Sequence, residues 1–315
     1  MEKLKNSKVL GVIKWVWIAA VFIAVVLYAI NNFNQVETYF QTIHWLRFLI
    51  AMLLIVLGKL LTMQGARLSV TSEGAKIPFW KFFSLFSLTQ LGKYLPGGIW
   101  HFVGRFGTYR SEEMDTKKSL RAMIAENAWL IGSAFVTGGI FFFSFNRGIL
   151  VQYGVTLTQT QSQFIALGLL LLWVIGLVIV QRYVQSLEYL NARLILKVSG
   201  IYIPAWVIFG VSYGLLFPEM DAAGLGLSIG GFALSWSIGY VAVFAPGGIG
   251  VRELALTFVF SGTAYAALSP VLATVHRVLW VLAELLLGLI VVVVDAIRKN
   301  HEETQAPVED PSNEA

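Results

Sequence analysis

The chain has 315 residues, 57% of them hydrophobic and 13% charged, with a formal net charge of +5 and no cysteine. So few charges exclude an ordinary soluble domain, and the missing thiols exclude disulfides, thiolate catalysis and cysteine-ligated zinc. Apolar runs approach or exceed the ~20 residues that cross a ~30 Å hydrocarbon layer, and the short alternating segments of a membrane barrel are absent, so the expected fold class is an all-α polytopic membrane protein.

In chain order, six runs read as full crossings, at about 9–30, 45–63, 119–145, 163–183, 201–217 and 268–297. The first follows Lys3, Lys5 and Lys8 and lacks a clear small-residue cleavage site, so it reads as a retained helix. Two further segments, about 79–110 and 228–262, each contain the tetrapeptide PGGI, at 96–99 and 246–249. Proline and paired glycines break helices. The arm after each break spans roughly 12–14 residues, or ~18–21 Å at the α-helical rise, short of a crossing. Both segments therefore read as re-entrant hairpins. The segment at 185–200 is amphipathic and reads as lying along the cytoplasmic interface. The stretch 301–315 is acidic and reads as a disordered cytoplasmic tail. Eight simple crossings, one of them short, is the alternative topology.

Charge sets the orientation. With the amino terminus in the cytoplasm and hairpins that do not cross, most of the basic residues, including Arg67, Arg105, Arg110, Lys117 and Lys118, fall on one side. Arg147 and Arg252 fall on the other, with Arg47 near its edge. That asymmetry is the positive-inside pattern. It places the chain in the cell (inner) membrane with both termini cytoplasmic. The positive net charge reports orientation and gives no reason to expect nucleic acid.

The two PGGI copies are separated by 150 residues, and the same shift puts Phe82 on Phe232, Ser87 on Ser237, Ser119 on Ser269 and Gly138 on Gly288. Residues 1–300 then form one transmembrane domain, with repeat halves at about 45–145 and 201–297. Three full crossings separate the hairpins, so they enter from opposite faces. Inverted repeats with broken helices are a recurrent transporter architecture.

Irregular backbone survives in a membrane where it is buried or lines a polar cavity. A glycine-rich break can also leave helix-start amides free to bind an anion. The candidate substrate residues are therefore Lys93, Pro96, Gly97, Gly98, His101 and Arg105 at the first break, and Pro246, Gly247, Gly248, Gly250, Arg252 and Glu253 at the second. His101 and Arg105 are four apart and share a helix face. Lys93 is the preferred phosphate contact. Arg105 reads equally as part of a cytoplasmic-edge cluster facing lipid phosphates, and Glu253 as a carboxylate favoured at a helix start. A tight packing turn of small residues is the alternative for the breaks themselves. Charged side chains within crossings are costly and face a cavity or a partner. Glu126 and Asn127 in the third crossing, and His276, Arg277 and Glu284 in the last, are the candidate relay and partner residues. A Glu126–Arg277 pair across the repeats is one expectation, and a proton or substrate relay the other.

The stretch PGGIGVRE, followed about 24 residues later by HRVLWVLAELLLG and preceded by KYLPGGIW, resembles a flippase-like membrane family whose namesake is the transmembrane region of lysylphosphatidylglycerol synthase. The resemblance implies that Pro96, Gly97, Pro246, Gly247, Gly248, Gly250, Glu253 and Arg277 are shared family positions. It implies movement of an anionic lipid or lipid-linked intermediate between leaflets. No stretch resembles the soluble aminoacyl-transferring domain, so lipid aminoacylation is not expected and the chain is not read as an enzyme. No cofactor or metal is implied. The partners left open are the anionic lipid itself, a lipid or polysaccharide synthesis enzyme, and a second copy of the chain. An enzymatic alternative, a membrane glycosyltransferase, would rest on Glu219 and Asp221 as metal ligands in an outer loop.

Overall fold

The computed structural model describes residues 27, 30, 33–94, 100–111, 114–145, 150–151, 154–185, 190–242 and 245–305. Every regular element among them is helical. In order these are α1 (Phe33–Thr42), α2 (Trp45–Ser72), α3 (Phe79–Leu91), α4 (Trp100–Ser111), α5 (Thr116–Phe145), α6 (Gln159–Ile179), α7 (Ala192–Gly214), α8 (Ala222–Val241), α9 (Val251–Phe260) and α10 (Ser269–Gln305). The chain is an all-α, multi-pass membrane protein: α2, α5, α6 with its π-helical extension to Val184, α7, α8 and α10 are each long and apolar enough to cross.

Among the described residues there are six candidate crossings, and their membership differs from the six expected. The predicted run 9–30 lies almost wholly outside the described residues. Its place is taken by α8, read from sequence as the first arm of a hairpin; at 20 residues it is long enough to cross alone. Two other expectations are corrected. The stretch 192–200 is not a separate surface helix, because Asn191 caps Leu194 N at 3.0 Å and opens α7 directly into its crossing. Residues 301–305 continue α10 as helix and do not start the tail.

Local chemistry sets several helix ends. Thr158 and Gln161 form a reciprocal capping box at α6. Asp221 accepts from Gly224 N at 2.6 Å and starts α8. Asp115 accepts from Lys118 N at 2.7 Å before α5. Pro204 sits inside α7, where it removes one backbone bond that neighbouring helices must help satisfy.

Lipid tails are as apolar as leucine, so helices in a membrane associate through close packing. Here glycine supplies the closeness. A Cβ on Gly58 of α2 would stand 2.4 Å from the Phe209 ring of α7, and one on Gly65 would stand 2.3 Å from Tyr202. Gly230 of α8 would clash with Phe142 N at 2.7 Å, and Gly210 of α7 with Ile229 Cα at 2.2 Å. Helix α8, rich in glycine and serine, is thereby the most enclosed crossing, with 72% of its apolar window buried.

The packing scheme repeats with partners exchanged. Helix α8 lies on α5, and its counterpart α3 lies on α10; α7 lies on α5, and its counterpart α2 lies on α10. Helices α2 and α7 pack against each other. Each break is flanked by arms that pack together, α3 with α4 and α8 with α9. The first break, 96–99, lies outside the described residues; the turn just before it, Gly92–Tyr94, packs against the second break, Pro246–Gly248. That junction positions the site.

Candidate functional site

A cavity of about 610 Å³ opens at the junction, walled by both hairpins and by α2, α5, α7 and α10. Of the residues expected from sequence, Lys93, His101, Arg105, Gly247, Gly248, Arg252, Glu253 and Arg277 line it, as do Glu126, Asn127 and His276. Pro96, Gly97 and Gly98 lie outside the described residues. Glu284 stands just behind the wall, 2% exposed. Gly250 opens α9, and Pro246 belongs to the turn before it.

The second break is closed on itself. Gly247, Gly248 and Gly250 have φ of 60°, 70° and 83°, a region that L side chains enter only with strain. Glu253 accepts from Gly250 N at 2.7 Å through Oε2 and from Arg277 at 2.7 Å through Oε1. The other terminal nitrogen of Arg277 donates to Gly247 O at 2.7 Å. Carboxylate and guanidinium thus staple both sides of the turn. Two amides of this break are engaged within the turn: Gly250 N serves Glu253, and Gly248 N donates to Ala245 O at 2.7 Å.

The first break is fastened from the other repeat. Glu284 on α10 accepts from Lys59, Lys93, Tyr94 OH at 2.7 Å and Trp280 Nε1 at 3.0 Å. Lys59 also lies over the Trp280 ring, 3.7 Å from its centroid. Four donors converge on one buried carboxylate, an arrangement that supplies the partners a charge needs in a low-dielectric interior.

The expected Glu126–Arg277 pair does not form. Glu126 pairs with Arg105, and Arg277 pairs with Glu253. The reason is local: each arginine finds a carboxylate nearer along its own half of the chain. Arg105 is also not a surface residue facing lipid phosphates. It is 4% exposed and its guanidinium lies 4.3 Å from the Phe86 ring centroid. Both Arg105 and Arg252, counted as loop charges in the orientation argument, belong to the cavity wall.

Arg252 is different from the other cations. Among the described residues it makes no ion pair, and its Nε is buried without a hydrogen-bond partner. Its stem is threaded between two glycines. A Cβ on Gly239 would stand 2.4 Å from Arg252 Cγ, and one on Gly248 would stand 2.9 Å from its Nε. The guanidinium lies 5.2 Å from the Trp236 ring centroid, within cation–π range. A positive charge held without a carboxylate, at a wall built for its stem, can receive an anion.

The remaining wall is aromatic. Trp236 stacks on Tyr240 at 4.7 Å and approaches Trp206 at 4.6 Å. Tyr240 OH donates to Asn127 Oδ1 at 2.5 Å. His276 is 3% exposed, bonds Ser212 at 2.8 Å and sits against the Tyr213 and Phe232 rings. The cavity thus joins an apolar wall to a cationic one, as a lipid headgroup with its first tail carbons would require.

Lys59 and the tryptophan wall were missed in the sequence. Lys59 had a signal: it is a cation deep inside the apolar run 45–63, far from Arg47 at its start, and an intramembrane charge marks function by default. The tryptophans had none, because aromatic residues in apolar helices are expected at membrane interfaces. Of the two loop carboxylates weighed for a metal, Asp221 caps α8 and accepts from Tyr265 OH at 3.1 Å. Among the described residues no group of three or more histidines, aspartates and glutamates is placed to hold a metal ion. Comparison with family models and with curated proteins found no match.

Proposed function

We propose that the chain is a lipid translocator that moves an anionic lipid or lipid-linked intermediate between leaflets by alternating access. One observation carries this reading: Arg252, which makes no ion pair among the described residues, faces a cavity where two broken helices from the two halves of the chain meet. The phosphate of the headgroup takes Arg252, with Lys93 beside the first break as its second contact. Arg277 and Glu253 hold the turn that presents Arg252. Rocking of one half against the other would expose the shared site to each face in turn. The resemblance of PGGIGVRE and HRVLWVLAELLLG to the flippase-like family points the same way. Glu126 and Glu284, both buried and both paired with cations, are the candidates for coupling to protons. The reading takes the protein as a transporter of the inner membrane and not as an enzyme.

The test is leaflet exchange in reconstituted vesicles, with a fluorescent-tailed phosphatidylglycerol and, separately, an isoprenyl phosphate as probes. The parent protein should accelerate exchange of at least one probe, and Arg252→Ala should slow it by roughly 10-fold or more, the worth of one charge-assisted contact. Exchange no faster than in protein-free vesicles for both probes overturns the proposal.

A further inference from the structure

The cavity holds a second polar group whose hydrogen-bonding capacity is left over after its charge is balanced. Arg105 and Glu126 neutralise each other in a buried pair, 4% and 3% exposed. Yet Arg105 Nε and Nη2, Glu126 Oε2 and Tyr202 OH are all buried with no hydrogen-bond partner among the described residues, as is Tyr109 OH beside Glu126, and Arg105, Glu126 and Tyr202 line the cavity. Buried polar atoms are almost always satisfied, so four orphaned atoms on three adjoining side chains point to an occupant. A further charge has no place there, because the pair is already neutral. The occupant must both donate, to the carboxylate oxygen, and accept, from the guanidinium. Hydroxyl groups do both.

The wall between this group and Arg252 is the stacked pair Trp236 and Tyr240. Trp236 carries Arg252 at one end, and Tyr240 reaches Asn127, next to Glu126, at the other. Flat aromatic faces receive the C–H face of a pyranose ring, while an acid–guanidinium pair takes its hydroxyls. We propose that the substrate headgroup is a sugar joined through a lipid phosphate, with the phosphate on Arg252, the ring on Tyr240, and the ring hydroxyls on Arg105, Glu126 and Tyr202. This rests on the lipid-translocator reading and specifies its substrate class.

The test uses the full-length protein in detergent and three probes of equal charge: hexosyl dodecyl phosphate, methyl dodecyl phosphate and hexosyl methyl phosphate. Hexosyl dodecyl phosphate should bind roughly 10-fold or more tightly than its methyl analogue, one charge-assisted bond being worth about that factor. Glu126→Gln should bring the ratio toward one. Tyr202→Phe, which removes a single oxygen and leaves the ion pair intact, should lower the ratio as well, so the idea does not depend on one variant folding. Arg252→Ala should weaken both dodecyl esters and leave their ratio unchanged. A parent ratio near one, or a ratio that survives both Glu126→Gln and Tyr202→Phe, overturns the sugar assignment while methyl dodecyl phosphate binding leaves the anionic-lipid reading standing. Failure of both dodecyl esters to bind removes both. Equal binding of hexosyl methyl phosphate overturns the lipid-borne part, since the dodecyl tail should add affinity.

Discussion

Both terminal nitrogens of Arg277 are taken, one by Glu253 and one by the Gly247 carbonyl, whereas Arg252 makes no ion pair among the described residues. Removing each should therefore fail differently. Arg277→Ala leaves Glu253 unpaired and the turn unfastened, and should cost about 3 kcal/mol of stability, read as a clear drop in the thermal unfolding midpoint in detergent. Arg252→Ala removes a charge with no partner to strand, so unfolding should move little while phosphate-ester binding falls. Equal thermal losses in the two variants would contradict this division. Glu284→Gln should be the most damaging of the cavity changes, about 3–5 kcal/mol, because Lys59 and Lys93 both lose their counter-charge. Unfolding at the parental temperature would show that the lysines are satisfied elsewhere. At this scale the sequence was partly legible. Charges inside apolar runs announced Glu126, Arg277 and Glu284, but pairing is a matter of distance between helices far apart in the chain. The 150-residue shift suggested the wrong partner for Glu126 because it aligns positions and says nothing of reach.

Among the elements, the second break depends on glycine conformation as much as on the staple. Gly248→Ala places a Cβ 2.8 Å from Gly239 O at a φ of 70°, and it should lower stability by more than the ~1–2 kcal/mol of a left-handed residue alone while displacing Arg252. Gly74 provides the comparison: its φ is 91°, but no atom lies within 4 Å of a Cβ there. Gly74→Ala should cost about 1 kcal/mol and leave phosphate-ester binding intact. If the two alanines behave alike, the close approach at Gly248 is not what matters. The start of α5 adds a pH term. The Lys118 amide holds the Asp115 carboxyl below its usual pKa of 3.8. A depressed carboxyl stabilises fully above its unfolded pKa and loses that contribution as pH falls through the folded one. The unfolding gap between the parent and Asp115→Ala should therefore be constant near neutrality and narrow below about pH 4; a gap unchanged at low pH would remove the cap from the account. The helices themselves were readable as apolar runs between caps and breakers. The length of α8 was not, because its glycines and serines lower its hydropathy below that of its neighbours.

For the whole molecule, the hairpins make a topological claim that the native absence of cysteine makes easy to test. If both are re-entrant, Lys76→Cys and Asp115→Cys, on either side of the first, should label from one face of the membrane. Glu219→Cys and Thr263→Cys, on either side of the second, should label from the opposite face. Labelling of Lys76→Cys and Asp115→Cys from different faces would make the first hairpin a crossing and remove the inversion between halves. The sequence by itself determined the solvent, the helical class, the two breaks and the list of charges that had to be buried, because hydropathy, proline and glycine act over a few residues. Only the tertiary structure decided which carboxylate meets which cation, that Lys59 and the tryptophans share a wall with both breaks, and that Arg252 alone is left over among the cavity's arginines. Those outcomes depend on how closely glycine-bearing helix faces approach across the repeats, and a linear pattern carries no such distances.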